Sequence, residues 1–289
     1  MTIGMIPKPG TDPREVSLDY VEYNRKAWNH QVAIRNRWTV PVTPKQIEDA
    51  RLGNWSVLLT PAKPVPMSWF PAKGGRMDGV RILNLASGGG QQTPIFAAAG
   101  ALVTVHDLSE SQLEQDRLSA VSASLEIRTE CGDMRDLSRY PDESFDFIFH
   151  PCSNTFVADI QPVWEEAFRV LKAGGEMIAG FVNPILYSVD PDLDAKGIAQ
   201  LKYAIPYSDL TSLTEEERRR YTDKNEPLCF GHTLEQQIGG QLRAGFRLVD
   251  LYEDRWGADA EATGALNALI PCFMATRAIK SIPLTGARG

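Results

Sequence analysis

The strongest constraint on this chain lies just after residue 79. Val80-Arg81-Ile82-Leu83-Asn84-Leu85 is a short apolar strand pattern that runs directly into Ala86-Ser87-Gly88-Gly89-Gly90-Gln91. The following segment, Gln92 to Ala99, reads as a helix stopped by Gly100. Glycines allow a sharp reversal and admit a ligand where a Cβ would otherwise stand. The helix start behind them presents N–H groups that have no partner inside the helix.

The alternation continues. Ala101 to His106, Leu125 to Cys131, Phe145 to Phe149 and Glu176 to Phe181 read as further strands. Between them, Ser109 caps a helix reaching about Val121, and Asp159 to Leu171 forms a helix ended by Ala173-Gly174-Gly175. Repeated βαβ units with short apolar strands predict a parallel sheet covered on both faces. Thr233 to Ala244 reads as a helix closed by Gly245, followed by strands at Phe246 to Tyr252 and Pro271 to Ala278. With no full crossover helix between them, those two strands predict an antiparallel pair at one edge.

Flanking segments have a different character. Residues 1–78 carry Asp12-Pro13 as a helix start, a helical stretch from about Arg14 to Arg37, a second short helix from Thr43-Pro44, and a Pro-rich loop holding Trp69 and Phe70. They predict a helical, aromatic cap. Residues 79–184 form the core and residues 185–231 interrupt the alternation as an inserted lid; residues 232–289 complete the core.

Composition narrows the function classes. The chain has 289 residues, 43% of them hydrophobic, enough for one sizeable core with extra segments. Its net charge is −7, opposite to what a phosphate-neutralising surface needs, so nucleic acid is not an expected partner. The one basic run, Arg218-Arg219-Arg220, follows Glu215-Glu216-Glu217, which predicts acid-to-base pairs on a solvated helix. Four cysteines form no C-x-x-C pair and no Cys/His cluster with metal-ligand spacing, so reduced thiols in a cytoplasmic protein and no metal are expected. No apolar stretch is long enough to span a bilayer, and residues 1–13 do not read as a signal peptide, so no membrane partner is expected. Nothing in the sequence indicates an oligomeric state.

Several residues could carry chemistry. The glycine bend is the position where dinucleotide enzymes place G-x-G-x-x-G, but the third glycine is absent and Thr93 stands there. Asp107, at the end of the second strand, can bind both hydroxyls of a ribose, or else serve as a surface acid beside a helix start. Asp133, in Cys131-Gly132-Asp133-Met134, can accept from an adenine amino group or equally act as a turn residue. His150 is delivered to the carboxyl end of its strand, the edge where open α/β sheets bind ligands.

These motifs, in this order, resemble the class I S-adenosylmethionine (SAM)-dependent methyltransferases, of the type 11 kind that acts mostly on small molecules. Gly88 and Gly90 match the first motif, with Asn84 in place of its acid and Ala86 in place of its first glycine. Asp107 matches the ribose-binding acid, Asp133-Met134 the adenine-binding pair, Phe145-Asp146-Phe147-Ile148 the fourth-strand motif, and Arg169-Val170-Leu171-Lys172-Ala173-Gly174-Gly175 the segment after it. The resemblance implies a Rossmann-like seven-stranded sheet, mostly parallel with the last strand antiparallel and helices on both faces. It also implies SAM as cofactor, S-adenosylhomocysteine as product, and a small-molecule acceptor beneath the cap and lid. Expected cofactor contacts are Asn84, Ala86, Ser87, Gly88, Gly90, Gln92, Asp107, Leu108, Gln112, Gly132, Asp133, Met134 and His150.

Methyl transfer is an in-line displacement in which the protein aligns donor and acceptor and excludes water. A base is needed only when the acceptor must lose a proton. His150 is the expected base, with Asn154, Tyr187 and His232 as further acceptor-side candidates. Tyr23 and Trp28 could fold over the cofactor, and Trp38, Trp55, Trp69 and Phe70 could line an acceptor pocket. Two other readings stay open: a non-catalytic SAM-binding module, and a nicotinamide-dependent oxidoreductase.

Overall fold

A computed structural model describes residues 19–257 and 264–282. The proposed start at Asp12-Pro13 lies outside them. Helix α1 (Tyr20–Ala33) is capped by Asp19, whose Oδ1 accepts from the N–H groups of Val21 and Glu22. Helix α2 (Pro44–Arg51) starts where Thr43-Pro44 predicts, with a reciprocal capping box between Thr43 and Gln46.

The central layer follows as β1 (Arg81–Leu85), α3 (Thr93–Ala98), β2 (Leu102–Asp107), α4 (Glu110–Ser122), β3 (Ile127–Cys131), β4 (Phe145–His150), α5 (Gln161–Val170) and β5 (Leu171–Val182). The lid region holds α6 (Pro191–Asp194), β6 (Tyr207–Ser208), α7 (Glu215–Thr222) and β7 (Phe230–Gly231). The chain closes with a π-helical turn (Glu235–Gly239) leading into α8 (Gly240–Ala244), then β8 (Phe246–Asp254), α9 (Ala265–Leu269) and β9 (Phe273–Lys280). Gly245 ends α8 at φ 108°, a conformation glycine reaches without strain.

Seven strands form one sheet in the order β3-β2-β1-β4-β5-β9-β8. The first five pair in parallel, and β9 runs antiparallel to both β5 and β8. This is the Rossmann-like arrangement expected. Successive strand residues point to opposite faces. Ile82, Phe147, Phe149 and Ile178 pack against α2, α3 and residues 55–77 on one side. Leu83, Leu85, Ile148 and Met177 pack against Trp164 and Ala167 of α5 on the other.

Three expectations need correction. Helix α5 stops at Val170, before Gly174-Gly175; residues 172–175 instead bulge out between the pairs Phe145↔Leu171 and Phe147↔Glu176. Residues 44–77 are not only a cap, because Ile47, Val57, Leu59, Trp69, Phe70 and Met77 are buried in the sheet's own core. Trp55, Trp69 and Phe70 therefore line no acceptor pocket. Trp69 donates to Asp250 (2.9 Å), and Trp55 packs edge-on against Phe70 and Phe96.

The lid is tied to α1. Asn24 Nδ2 donates to the carbonyls of Phe156 (3.0 Å) and Leu228 (3.1 Å), and its Oδ1 accepts from the Leu228 N–H (2.8 Å). The Tyr23 hydroxyl donates to the Glu226 carbonyl at 2.9 Å, so this ring staples the lid and does not line the cavity below. On α7 the charged run forms solvated pairs, Arg219 with Glu215 and Arg220 with Asp192.

Candidate functional site

The carboxyl ends of the parallel strands open into a cavity of about 640 Å³ under α1 and the lid. Its two ends differ in chemistry. Ala86, Ser87, Gly88 and Gln92 enter from the loop after β1, Asp107, Leu108 and Gln112 from β2 and α4, and Asp133 and Met134 from the turn after β3. From the other half of the sheet come Cys152, Thr155 and Phe156 after β4, Leu186 and Tyr187 after β5, Trp256 after β8 and Phe273 at the start of β9. Trp28 and Trp38 reach over from the N-terminal segment.

Local geometry explains the loop. Gly88 packs so closely against α4 that a Cβ would stand 2.7 Å from Gln112 Cβ and 3.1 Å from the Asp107 carboxylate. Its N–H donates to Asp107 Oδ2 (2.9 Å), while Asp107 Oδ1 accepts from the Ser109 N–H (2.9 Å). Each oxygen keeps a second lone pair, and burial pushes this carboxyl above the usual range. Gly89 and Gly90 lie at φ 103° and 74°, and Ala86 at φ 48°, a left-handed conformation where a side chain is strained.

Under the loop lies a residue that the sequence reading missed. Asp116 of α4 is fully buried and accepts from the N–H groups of Gly89 (3.0 Å) and Gly90 (3.1 Å). Thr93, standing where a third glycine would be, bonds to the same carboxyl and accepts from Asn84 Nδ2 (2.9 Å). Burial pushes Asp116 up to about 8, outweighing the hydrogen bonds, and the negative Asp107 adds to the rise. The available signal was an acid one helical turn after Gln112, on the inward face of α4.

Four expected cofactor contacts do not reach the cavity. Asn84 is fully buried beneath Thr93, with Oδ1 lacking any partner among the described residues. Gly90 faces Pro41 and Ser119, and Gly132 faces the His106 ring. His150 is fully buried, with Nδ1 2.9 Å from the Leu85 carbonyl and Nε2 2.7 Å from the Asn154 side chain. Burial lowers its pKa and keeps the ring neutral. With both nitrogens engaged away from the cavity, His150 is a bracket between β1 and β4, which corrects its expected role as base. His232 and Asn154 are likewise buried; His232 Nε2 sits 3.0 Å from the Asn154 carbonyl and 2.9 Å from that of Val157. Tyr187 and Trp28 do line the cavity, together with Tyr20 and Asn24. Asp133 lines it too, but Arg135 grips its carboxylate with Nε (3.0 Å) and Nη2 (2.6 Å). Among the described residues no group of His, Cys, Asp and Glu could hold a metal ion.

Comparison with known proteins agrees with this arrangement. Residues 83–179 match the methyltransferase domain family. Over 260 residues, 90% of this chain and 98% of the relative, the sequence is 47% identical to YbaJ of Bacillus subtilis, described as an uncharacterized methyltransferase. This chain belongs to the class I SAM-dependent methyltransferases. The methyltransferase fold is shared with a SAM-dependent methyltransferase from Mesorhizobium loti (TM-score 0.54, 21% identity, covering 73% of this chain and 94% of that one). It is shared over more of its length with the 1,6-didemethyltoxoflavin-N1-methyltransferase of Burkholderia thailandensis (TM-score 0.57, 14% identity, 96% and 93% covered). Among the described residues, no helix of the methyltransferase is long and apolar enough to cross a membrane.

Proposed function

We propose that the protein moves the methyl group of SAM onto a small-molecule acceptor, holding the cofactor at the ends of β1, β2 and β3. The observation that carries this reading is the convergence of Gly88, Asp107, Gln112 and Asp133 on one cavity. The residues present suit the cofactor. Asp107 has one lone pair left on each oxygen for a pair of ribose hydroxyls. The buried Gln112 Oε1 lacks a partner among the described residues and can accept an N–H or O–H. Gly88 lets the bend pack directly on Asp107 and Gln112, and Leu108 and Met134 supply apolar flanks.

When bound, SAM supplies a sulfonium-activated methyl carbon. The protein's share is alignment and the exclusion of water by the aromatic walls and lid. Ser153 donates to the Ala86 carbonyl (2.6 Å), fixing the bend that separates cofactor and acceptor ends. The unpaired state of all four cysteines suits a reducing compartment, and the cytoplasm is the proposed location.

Calorimetric titration tests this reading. S-adenosylhomocysteine and SAM should bind with one site per chain and NAD should not. Absence of binding by either sulfur compound would refute the reading. Binding without transfer of labelled methyl to any member of a metabolite library would point to a non-catalytic module.

A further inference from the structure

The acceptor end of the cavity has a specific composition. Trp28, Trp38, Phe156, Tyr187, Trp256 and Phe273 form its walls. None of the four histidines lines it. The carboxylates of the whole cavity among the described residues, Asp107 and Asp133, come from the β2–β3 half of the sheet, and its cation, Arg37, lies over the Trp38 ring at 4.7 Å. Cys152 and Cys229 are half-buried thiols held well above their ordinary range by desolvation, as is the Tyr187 phenol, which is bonded to Thr155. Neither the thiols nor the phenol is poised to take a proton at neutral pH.

A second cavity of about 680 Å³ continues under the lid, sharing Trp28, Trp38, Phe156 and Tyr187 with the first. Tyr187 stacks on Tyr207, with ring centres 5.3 Å apart and 18° between planes. Asp209 beyond them lines only this second space. Its carboxylate accepts from the Tyr207 hydroxyl (2.6 Å) and the Cys229 N–H (2.7 Å). Asp194 and Glu226 also border it, against one cation among the described residues, Lys224, so its walls disfavour an anion.

Resting on the methyltransferase reading, we propose that the acceptor is a flat, uncharged aromatic molecule that attacks through a nitrogen or sulfur lone pair already free at neutral pH, and not through a hydroxyl the protein must deprotonate. The acceptor's lone pair forms the new bond to the methyl carbon as the sulfur–carbon bond breaks, its electron pair remaining on sulfur. The positive charge passes to the acceptor, which keeps it or loses a proton to water. Aromatic faces solvate such a moving charge without a counter-ion, and flat rings fit between flat walls.

Four probes test the proposal on protein saturated with S-adenosylhomocysteine: quinoline, quinoline carboxylate, naphthol and cyclohexylmethanol, followed by tryptophan quenching. Quinoline should bind about tenfold tighter than its carboxylate or the saturated alcohol, and Trp38→Leu should weaken it about fivefold, in line with one aromatic contact. With labelled SAM, quinoline should take label on nitrogen. Equal or tighter binding of the carboxylate or the saturated alcohol overturns the proposal. So does label on the oxygen of naphthol or cyclohexylmethanol. Failure of S-adenosylhomocysteine itself to bind defeats the methyltransferase reading instead, which keeps the two failures apart.

Discussion

The two halves of the sheet's carboxyl edge are built on different physical terms. At the ends of β1, β2 and β3, backbone N–H groups and carboxylates do the work: Gly88 on Asp107, Gly89 and Gly90 on Asp116. At the ends of β4, β5, β9 and β8, rings stand against rings, as Trp256 does on Phe273 (4.8 Å) and Trp28 on Phe156 (5.0 Å). Directional bonds impose one ligand geometry; apolar walls select by shape and lack of charge. A fixed cofactor and a variable acceptor call for that division.

The contrast can be broken from the polar side first. Asp116→Ala leaves two buried N–H groups without acceptors and should cost about 2–5 kcal/mol of stability, read by urea unfolding. The same carboxyl gives a pH signature. Its folded pKa of about 8 lies above the unfolded value near 3.8, so folding takes up a proton between them. Its contribution is therefore full below pH 4 and fades as pH rises through 8. Melting curves of Asp116→Asn should lose that slope, and an unchanged slope would assign it elsewhere.

Next comes Asp107→Ala, which should weaken S-adenosylhomocysteine on the order of 50-fold by calorimetry, given two charge-assisted bonds. If acceptor probes weaken equally, the halves are not independent. On the aromatic side, Tyr187→Leu should raise the acceptor KM roughly threefold, as for one lost aromatic contact, and leave S-adenosylhomocysteine affinity unchanged. The smallest effect is at Ala86, where φ is 48°; Ala86→Gly should add about 0.5–1 kcal/mol in thermal unfolding.

The same division decided what could be read in advance. Strand positions, the bend and the edge position of Asp107 follow from local patterns: short apolar runs, glycine, an acid at a strand end. Lining does not, because it depends on where a side chain turns after the backbone arrives. His150 reaches the correct edge and then turns under the Leu85 carbonyl. Asn84 occupies a motif position but points to the layer beneath the loop, where Thr93, itself bonded to Asp116, receives it. The tryptophans looked equivalent along the chain, yet Trp69 lies in the sheet's core while Trp38 stands over the cavity. Asp116 carries no motif, so its position became meaningful only once α4 was seated against the bend.

The ties from Asn24, Tyr23 and Gln31 to residues 225–228 bind the first helix and the lid into one cover. The same helix is also bonded to the core, through Arg25 to Glu110 and Asn29 to Ser109 and Ser111, so α1 couples the lid to the edge that carries Asp107. Loosening the lid by replacing Asn24, which itself lines the cavity, should then be felt at both ends of the site.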